Sequence, residues 1–220
     1  MGIRVDMHIH TNASNDAFIL MRHIGAVFER GKVDMLVVLD HNSIDGALEA
    51  KKIWENRIIV GEEIDTGEGE IAGIFLKERI PPHMGIFDTI SALKEQKATI
   101  YLPHPFDKGR PILHTSKLID FATTIDIVEC YNSKVKKLRY NAMAHKFAEK
   151  NGCLKGAGSD AHLPCEIGAA YVILPQICIC QEAFIAALNR ALIRGRRQRL
   201  HERLLLWGMR TLGNVKKFFC

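Results

Sequence analysis

The sequence predicts an α/β fold: a parallel sheet covered by helices and closed into a barrel, followed by a helical C-terminal extension. Three observations predict it. Short β-rich apolar runs alternate with helical periodicities, the alternation repeats six or seven times, and histidines and carboxylates recur where the β-rich runs end. In a parallel barrel all C-terminal strand ends open on one face, so residues distant in sequence assemble there.

The elements follow in order. IRVDMHI (3–9) reads as the first strand and 17–30 as a helix; VDMLVVLD (33–40) is the next strand, with a helix over 43–55. RIIVGEEI (57–64) and a short EIAGIFL (70–76) follow, then a helix over 87–96 and the strand ATIYLPH (98–104). A helix near 116–122, the strand DIVECYN (126–132), a helix over 134–151, the strand CLKGAGSD (153–160), the run AAYVILP (169–175) and a helix over 181–193 complete the barrel. Residues 1–193 are read as the barrel domain and 194–220 as a basic amphipathic extension, weakened by Gly208 and Gly213. Its apolar side is expected on the barrel and its arginines in water.

Composition narrows the class. The 47% hydrophobic content of 220 residues supplies a full core. No apolar stretch approaches the ~20 residues of a membrane span, and the N-terminus lacks a signal-peptide pattern. Cys130, Cys153, Cys165, Cys178, Cys180 and Cys220 form no C-x-x-C pair, which reads as reduced thiols in a cytoplasmic protein and argues against zinc-finger chemistry. The net charge of +5 is uneven: residues 194–220 hold six Arg, two Lys and one Glu, a net of +7, which leaves −2 for the rest. The tail therefore hints at a polyanion such as a nucleic acid or oligonucleotide.

The chemistry-bearing residues sit at the strand ends. His8 and His10 alternate, so their imidazoles converge, with Met7 and Ile9 expected on the opposite face. Asp40 and His41, Glu62 and Glu63, His104, and Asp160 with His162 end later strands, whereas His23, His83, His114, His145 and His201 lie outside this pattern. Imidazoles and carboxylates without thiolates suit Zn, Mn or Fe, and there are too many for one closed four-ligand site.

Taken in order, DMHIHT with Asp16, VVLDHNSIDG, GEEI, PHPF and GSDAH resemble the signature regions of the PHP (polymerase and histidinol phosphatase) family over residues 4–175. The resemblance implies a distorted (β/α)7 barrel carrying two or three divalent ions, and hydrolysis of a phosphate ester. It places His8, His10, Glu63 and Asp160 on a first metal, with Glu63 bridging to a second that His104 also holds. It places His41 and His162 on a third, with a loop acid for which Asp16 is chosen over Asn15. Where relatives of the small phosphodiesterase type have a histidine, this chain has Glu70, read as its carboxylate replacement, the alternative being a second metal with one ligand fewer. Asp6 and Asp40 are read as hydrogen-bonding supports of the ligands. Of Glu129 and Cys130 only one can point inward, and Asn132 lies within reach of substrate. Arg110, six residues beyond His104, suits a phosphate clamp, because a guanidinium grips two phosphate oxygens; the alternative is a loop arginine in water. A non-catalytic PHP-type metal-binding module and a hydrolase of amide or lactone bonds are the competing readings.

Overall fold

The computed structural model describes residues 2–110, 118, 120–178 and 180–216. Strands β1 (Ile3–Ile9), β2 (Met35–His41), β3 (Ile58–Thr66), β4 (Gly69–Ile74), β5 (Thr99–Leu102), β6 (Ile127–Asn132) and β7 (Leu154–Gly158) lie side by side in chain order, and β8 (Ala170–Leu174) and β9 (Leu192–Gly195) extend the sheet beyond β1. The sheet curls into a nearly closed barrel. At the seam Asp160 N donates to His8 O at 2.7 Å and His10 N to Ala161 O at 2.9 Å. β7 approaches β1 this closely because residue 158 is glycine; a Cβ there would collide with His8.

The expectation of a parallel sheet needs correction. β1–β2, β2–β3, β5–β6 and β6–β7 are parallel, but β4 runs antiparallel to both neighbours, β8 to β1 and β9 to β8. Only Gly67 and Glu68 separate β3 from β4, too few for a parallel crossover. The start of β4 consequently lies beside the end of β3, with Glu70 opposite Asp65.

Helices α1 (Met21–Glu29), α2 (Asp45–Ile53), α3 (Ile86–Glu95) and α4 (Leu138–Asn151) cover the outside. Each turns a stripe to the sheet, such as Ile24, Val27 and Phe28 of α1 or Ile86, Ile90 and Leu93 of α3. α5 (Gln181–Leu188) ends before the expected residue 193, because Leu192–Gly195 satisfies its backbone on the open edge of β8 instead; this strand straddles the expected domain boundary. α6 (Leu200–Lys216) lies in the extension. The helix expected near 116–122 falls mostly outside the described residues. No helix among the described residues is long and apolar enough to cross a membrane.

Two apolar layers result. Leu36 and Val38 of β2 pack outward under the helices, while Val37 and Leu39 pack inward with Val5, Tyr101 and Ile127. Phe184 and Leu188 of α5 complete this inner layer, and Gln181 Nε2 ties α5 to Lys97 O and Thr99 Oγ1 at 2.9 and 2.8 Å, so α5 plugs the end opposite the histidines.

Met7 also joins the inner layer, contrary to the simple alternation expected for β1. Asp6 pairs with Leu36 and Ile9 with Val38, so three steps along β1 match two along β2, and this bulge resets the phase. His8 and His10 can thus face the interior above Val5 and Met7 while Ile9 packs outward. Without the bulge a one-residue slip would turn the imidazoles toward the helices.

Gly46 fixes the loop after β1. A Cβ there would collide with Thr11 and Asp40, which hold each other: Asp40 accepts from Thr11 N at 2.6 Å, Thr11 Oγ1 at 2.7 Å and Ser14 Oγ at 2.8 Å. Gly46→Ala is expected to cost about 1–3 kcal/mol by overpacking, read as a lowered Tm. An unchanged Tm would mean that this loop yields freely.

Candidate metal centre

Glu63, fully buried on β3, is the centre of the arrangement. Its Oε2 lies 3.4 Å from His8 Nε2, 3.5 Å from His10 Nε2 and 3.4 Å from His41 Nδ1, and its Oε1 lies 3.0 Å from His104 Nε2. β1, β2, β3 and β5 each deliver one or two of these side chains at or just beyond the same end. Glu62, its neighbour in the pleat, points away and accepts from Ile80 N at 2.8 Å.

The remaining residues complete three overlapping groups. Asp160 Oδ1 lies 3.6 Å from His10 Nε2, beside His8, His10 and Glu63. Glu70 Oε2 lies 3.7 Å from His104 Nε2, and Glu63, Glu70 and His104 present ligand atoms within 4.8 Å of one another. Asp16 lies 3.2 Å from His162 Nε2 and 3.9 Å from His41 Nε2, whereas Asn15 is exposed. All nine residues singled out by sequence therefore converge, and Asp65 joins them through a group with His41 and Glu70. The period-2 spacing from Glu63 was the signal for Asp65.

The donor set fits cations. His8 Nε2 and His10 Nε2 face each other at 3.0 Å, an approach in which one ring must present a lone pair to the other. His10 Nδ1, Asp16 Oδ1, Glu63 Oε2, Glu70 Oε2, His104 Nδ1 and Asp160 Oδ1 are buried with no hydrogen-bond partner among the described residues. So dense a set of orphaned polar atoms is otherwise rare in an interior. His104 (φ 26°) and Asp160 (φ 55°) sit in the left-handed region, backbone strain of the kind that clusters at functional sites.

Around this centre other polar groups hold these side chains in place. Glu129 faces inward while Cys130 packs in the outer layer. Glu129 Oε1 lies 3.1 Å from His8 Nδ1, and its Oε2 accepts from His104 N at 2.8 Å, so one carboxylate orients two imidazole-bearing residues. Asn132, expected near substrate, is instead buried and donates to Glu129 Oε2 at 2.9 Å and Asp160 Oδ2 at 3.0 Å. Asp6 accepts from Ser159 N at 2.8 Å and Gly168 N at 2.7 Å and stays out of the centre.

Charge is divided unevenly. Burial pushes the Asp160 carboxyl up, but Arg110 and Lys134 outweigh it and hold the group well below the usual range. Burial likewise opposes ionisation of Glu63, and the neighbouring imidazoles, His8 first, reverse the balance. At Glu70 the balance falls the other way: burial, then the charge on Glu63, outweigh the pull of Arg110 and push it up to about 9. The Glu70 carboxyl thus keeps its proton at neutral pH.

Arg110 Nη1 lies 2.6 Å from Asp160 Oδ2, and its side chain lines a cavity of about 530 Å³ with Asp16, His41, Glu70 and His162. Lys134, which sequence reasoning missed, lines it too, its Nζ 2.8 Å from His162 Nδ1 and 3.5 Å from Glu166 Oε2. Lysine is no metal-ligand type, and its only signal was its place two residues beyond Asn132.

The extension does not lie as its periodicity suggested. Glu202, Leu206 and Arg210 form the inward line of α6, while Leu200, Leu204, Leu205, Trp207 and Leu212 are exposed. Ion pairs draw the polar line inward: Arg196 grips Glu202 at 2.6 and 2.9 Å, and Arg210 Nη2 reaches Asp16 Oδ2 at 2.7 Å. Arg203, Trp207 and Arg210 thereby become cavity wall.

Comparison with known proteins agrees with this architecture. Residues 139–191 match the family model described as PHP-associated. The chain is 32% identical over 181 residues to an uncharacterized protein of Methanocaldococcus jannaschii, covering 80% of this chain and 73% of that one. A second uncharacterized protein of the same organism is 30% identical over 170 residues, covering 69% of this chain and 98% of that one. Among solved structures, a two-domain Bacteroides vulgatus protein containing a PHP-like metal-dependent phosphoesterase superposes with a TM-score of 0.73 at 16% identity, over 89% of this chain and 65% of its own. This chain thus spans just under two thirds of that protein. A lesion-specific endonuclease of Pyrococcus furiosus gives a TM-score of 0.64 at 15% identity, over 88% of this chain and 58% of its own.

Proposed function

Because this chain belongs to the PHP family, we propose that it is a multinuclear metal-dependent phosphoesterase, cleaving a phosphomonoester or phosphodiester with an activated water. The observation that carries the reading is the set of orphaned imidazole and carboxylate atoms around Glu63, opening onto a cavity whose far side is cationic. His8, His10, Glu63 and Asp160 would hold one ion, Glu63, Glu70 and His104 a second, and His41, His162 and Asp16 a third. Bound Mn, Zn or Fe would supply Lewis acidity, polarising a phosphoryl oxygen and acidifying a water.

The chain's own residues do the rest. Arg110 meets the phosphate from the side of Asp160, and its planar fork suits two phosphoryl oxygens. Lys134 adds a positive charge beside His162, and burial lowers its ammonium pKa against the pull of Asp160 and Glu166. Glu129 and Asn132 keep His8 and Asp160 from rotating as substrate arrives.

Elemental analysis of the purified protein, paired with hydrolysis of a bis-aryl phosphodiester and an aryl phosphomonoester in Mn, tests the proposal. Two or three metals per chain with turnover of either ester are expected. Full loading without turnover of either would favour the non-catalytic module, and failure to take up metal on reconstitution would end the proposal.

A further inference from the structure

We propose that α6 builds a second substrate subsite at the cavity mouth, where Lys136, Arg203 and Trp207 take the phosphate and base adjoining the scissile group of a single-stranded nucleic-acid end. The inference rests on the phosphoesterase reading and deepens it by naming the substrate class.

Room is the first argument. The cavity of about 530 Å³ runs from His41 and His162 out to Arg203 and Trp207, within the ~300–1,000 Å³ usual for clefts that hold whole small molecules rather than a lone phosphate.

Charge is the second. Inside the cavity each cation nearest the centre already faces a carboxylate: Arg110 faces Asp160 at 2.6 Å, Arg210 faces Asp16 at 2.7 Å and Lys134 faces Glu166 at 3.5 Å. Lys136 and Arg203 differ. Neither has an ion pair among the described residues, and the guanidinium of Arg203 reaches only Gln198 Oε1, at 3.5 Å. The Lys136 side chain lies across Gly109, where a Cβ would collide with it, and so projects into the cavity. Two uncompensated cations at the mouth are surplus for a compact monoester, whose charge is met at the centre, and suit a second phosphate one nucleotide away.

The third argument is the ring. Trp207 is 69% exposed, yet it lines the cavity. The helix that carries it is docked on either side of it: Leu206 is buried, Glu202 pairs with Arg196 and Arg210 with Asp16. An exposed aromatic face on a docked helix, beside a basic rim, is a stacking platform for an unpaired base. Phe106 and Tyr131 do not compete for this role, since both pack against the apolar layers.

The test compares kcat/KM for single-stranded pentathymidylate with kcat/KM for a bis-aryl phosphodiester in the full-length, Mn-loaded protein. Trp207→Ala and the Lys136→Ala/Arg203→Ala pair are each expected to lower the ratio of the two by about tenfold or more, stacking and charge being lost separately. A loss shared equally by both substrates, or wild-type turnover of the aryl ester without turnover of pentathymidylate, overturns the subsite and leaves the phosphoesterase standing. Binding provides an independent readout. In a Trp54→Phe background Trp207 is the remaining tryptophan, and its emission is expected to be quenched saturably by pentathymidylate. The slope of log K against log salt should shrink by about 0.7 in Lys136→Ala, one phosphate contact on a single strand. Quenching with this salt behaviour but no ester hydrolysis would remove the phosphoesterase reading and keep the subsite; absence of quenching overturns the subsite.

Discussion

Glu63→Gln is expected to lower ester turnover on the order of 1,000-fold, equivalent to about 4 kcal/mol of transition-state stabilisation, and to lower the metal content per chain. The substitution preserves shape, so the barrel should fold. What changes is donor chemistry: the side chain now faces His8, His10 and His41 on one arm and His104 on the other with a single carbonyl oxygen and an amide that can only donate. Whichever way the amide turns, one group of imidazoles loses the anion it shares. The metal-to-protein ratio and kcat are measured together. Wild-type values of both would remove Glu63 from the centre, and full metal with lost turnover would make it a residue of the chemistry alone.

Chelation should abolish turnover and lower Tm by roughly 5–11 °C, because an ion present at a hundredfold over its Kd stabilises the folded chain by about 2.7 kcal/mol and each kcal/mol moves a chain of this size by about 2–4 °C. In the metal-free protein Asp160 and Glu63 remain ionised inside the barrel and Glu70 does not. The sign of the pH dependence follows from Glu70. Its pKa near 9 without metal means that a cation competes with a proton there, so the Tm gain from added metal should grow as pH rises from 7 toward 9. A gain that shrinks over this range would exclude Glu70 as a ligand.

Much of this centre was legible because strand geometry has a short period. Residues ending successive strands reach one face, and His8 and His104 follow from that rule, whereas the choice of His41 over Asp40 and of Glu63 over Glu62 came from the family resemblance. The rule was less secure than it looked: β1 reaches the right phase only through a bulge, and a second irregularity between Glu129 and Tyr131 made the inward side of β6 unreadable from alternation. The reversal of β4 was written in the two-residue link Gly67–Glu68, a length no crossover can use. The docking of α6 was not readable. It depends on an ion pair between Arg210 and Asp16, 194 residues apart, and a helical wheel that weighs only apolar residues turns the wrong face inward. Lys134 and Glu129 escaped for a related reason, since their roles come from what they touch across strands.

The seam of the barrel has a mechanical consequence. The backbone bonds that close the gap between β1 and β7 are made by His8 and His10 with Asp160 and Ala161, just past the end of β7, so the amides that close the wall belong to residues proposed as ligands. Unzipping the wall and dismantling the centre are then one event. A breathing motion at this edge cannot loosen the cylinder and spare the proposed ligands, and an ion held between the two segments would act as a rivet that sets how often the cylinder opens.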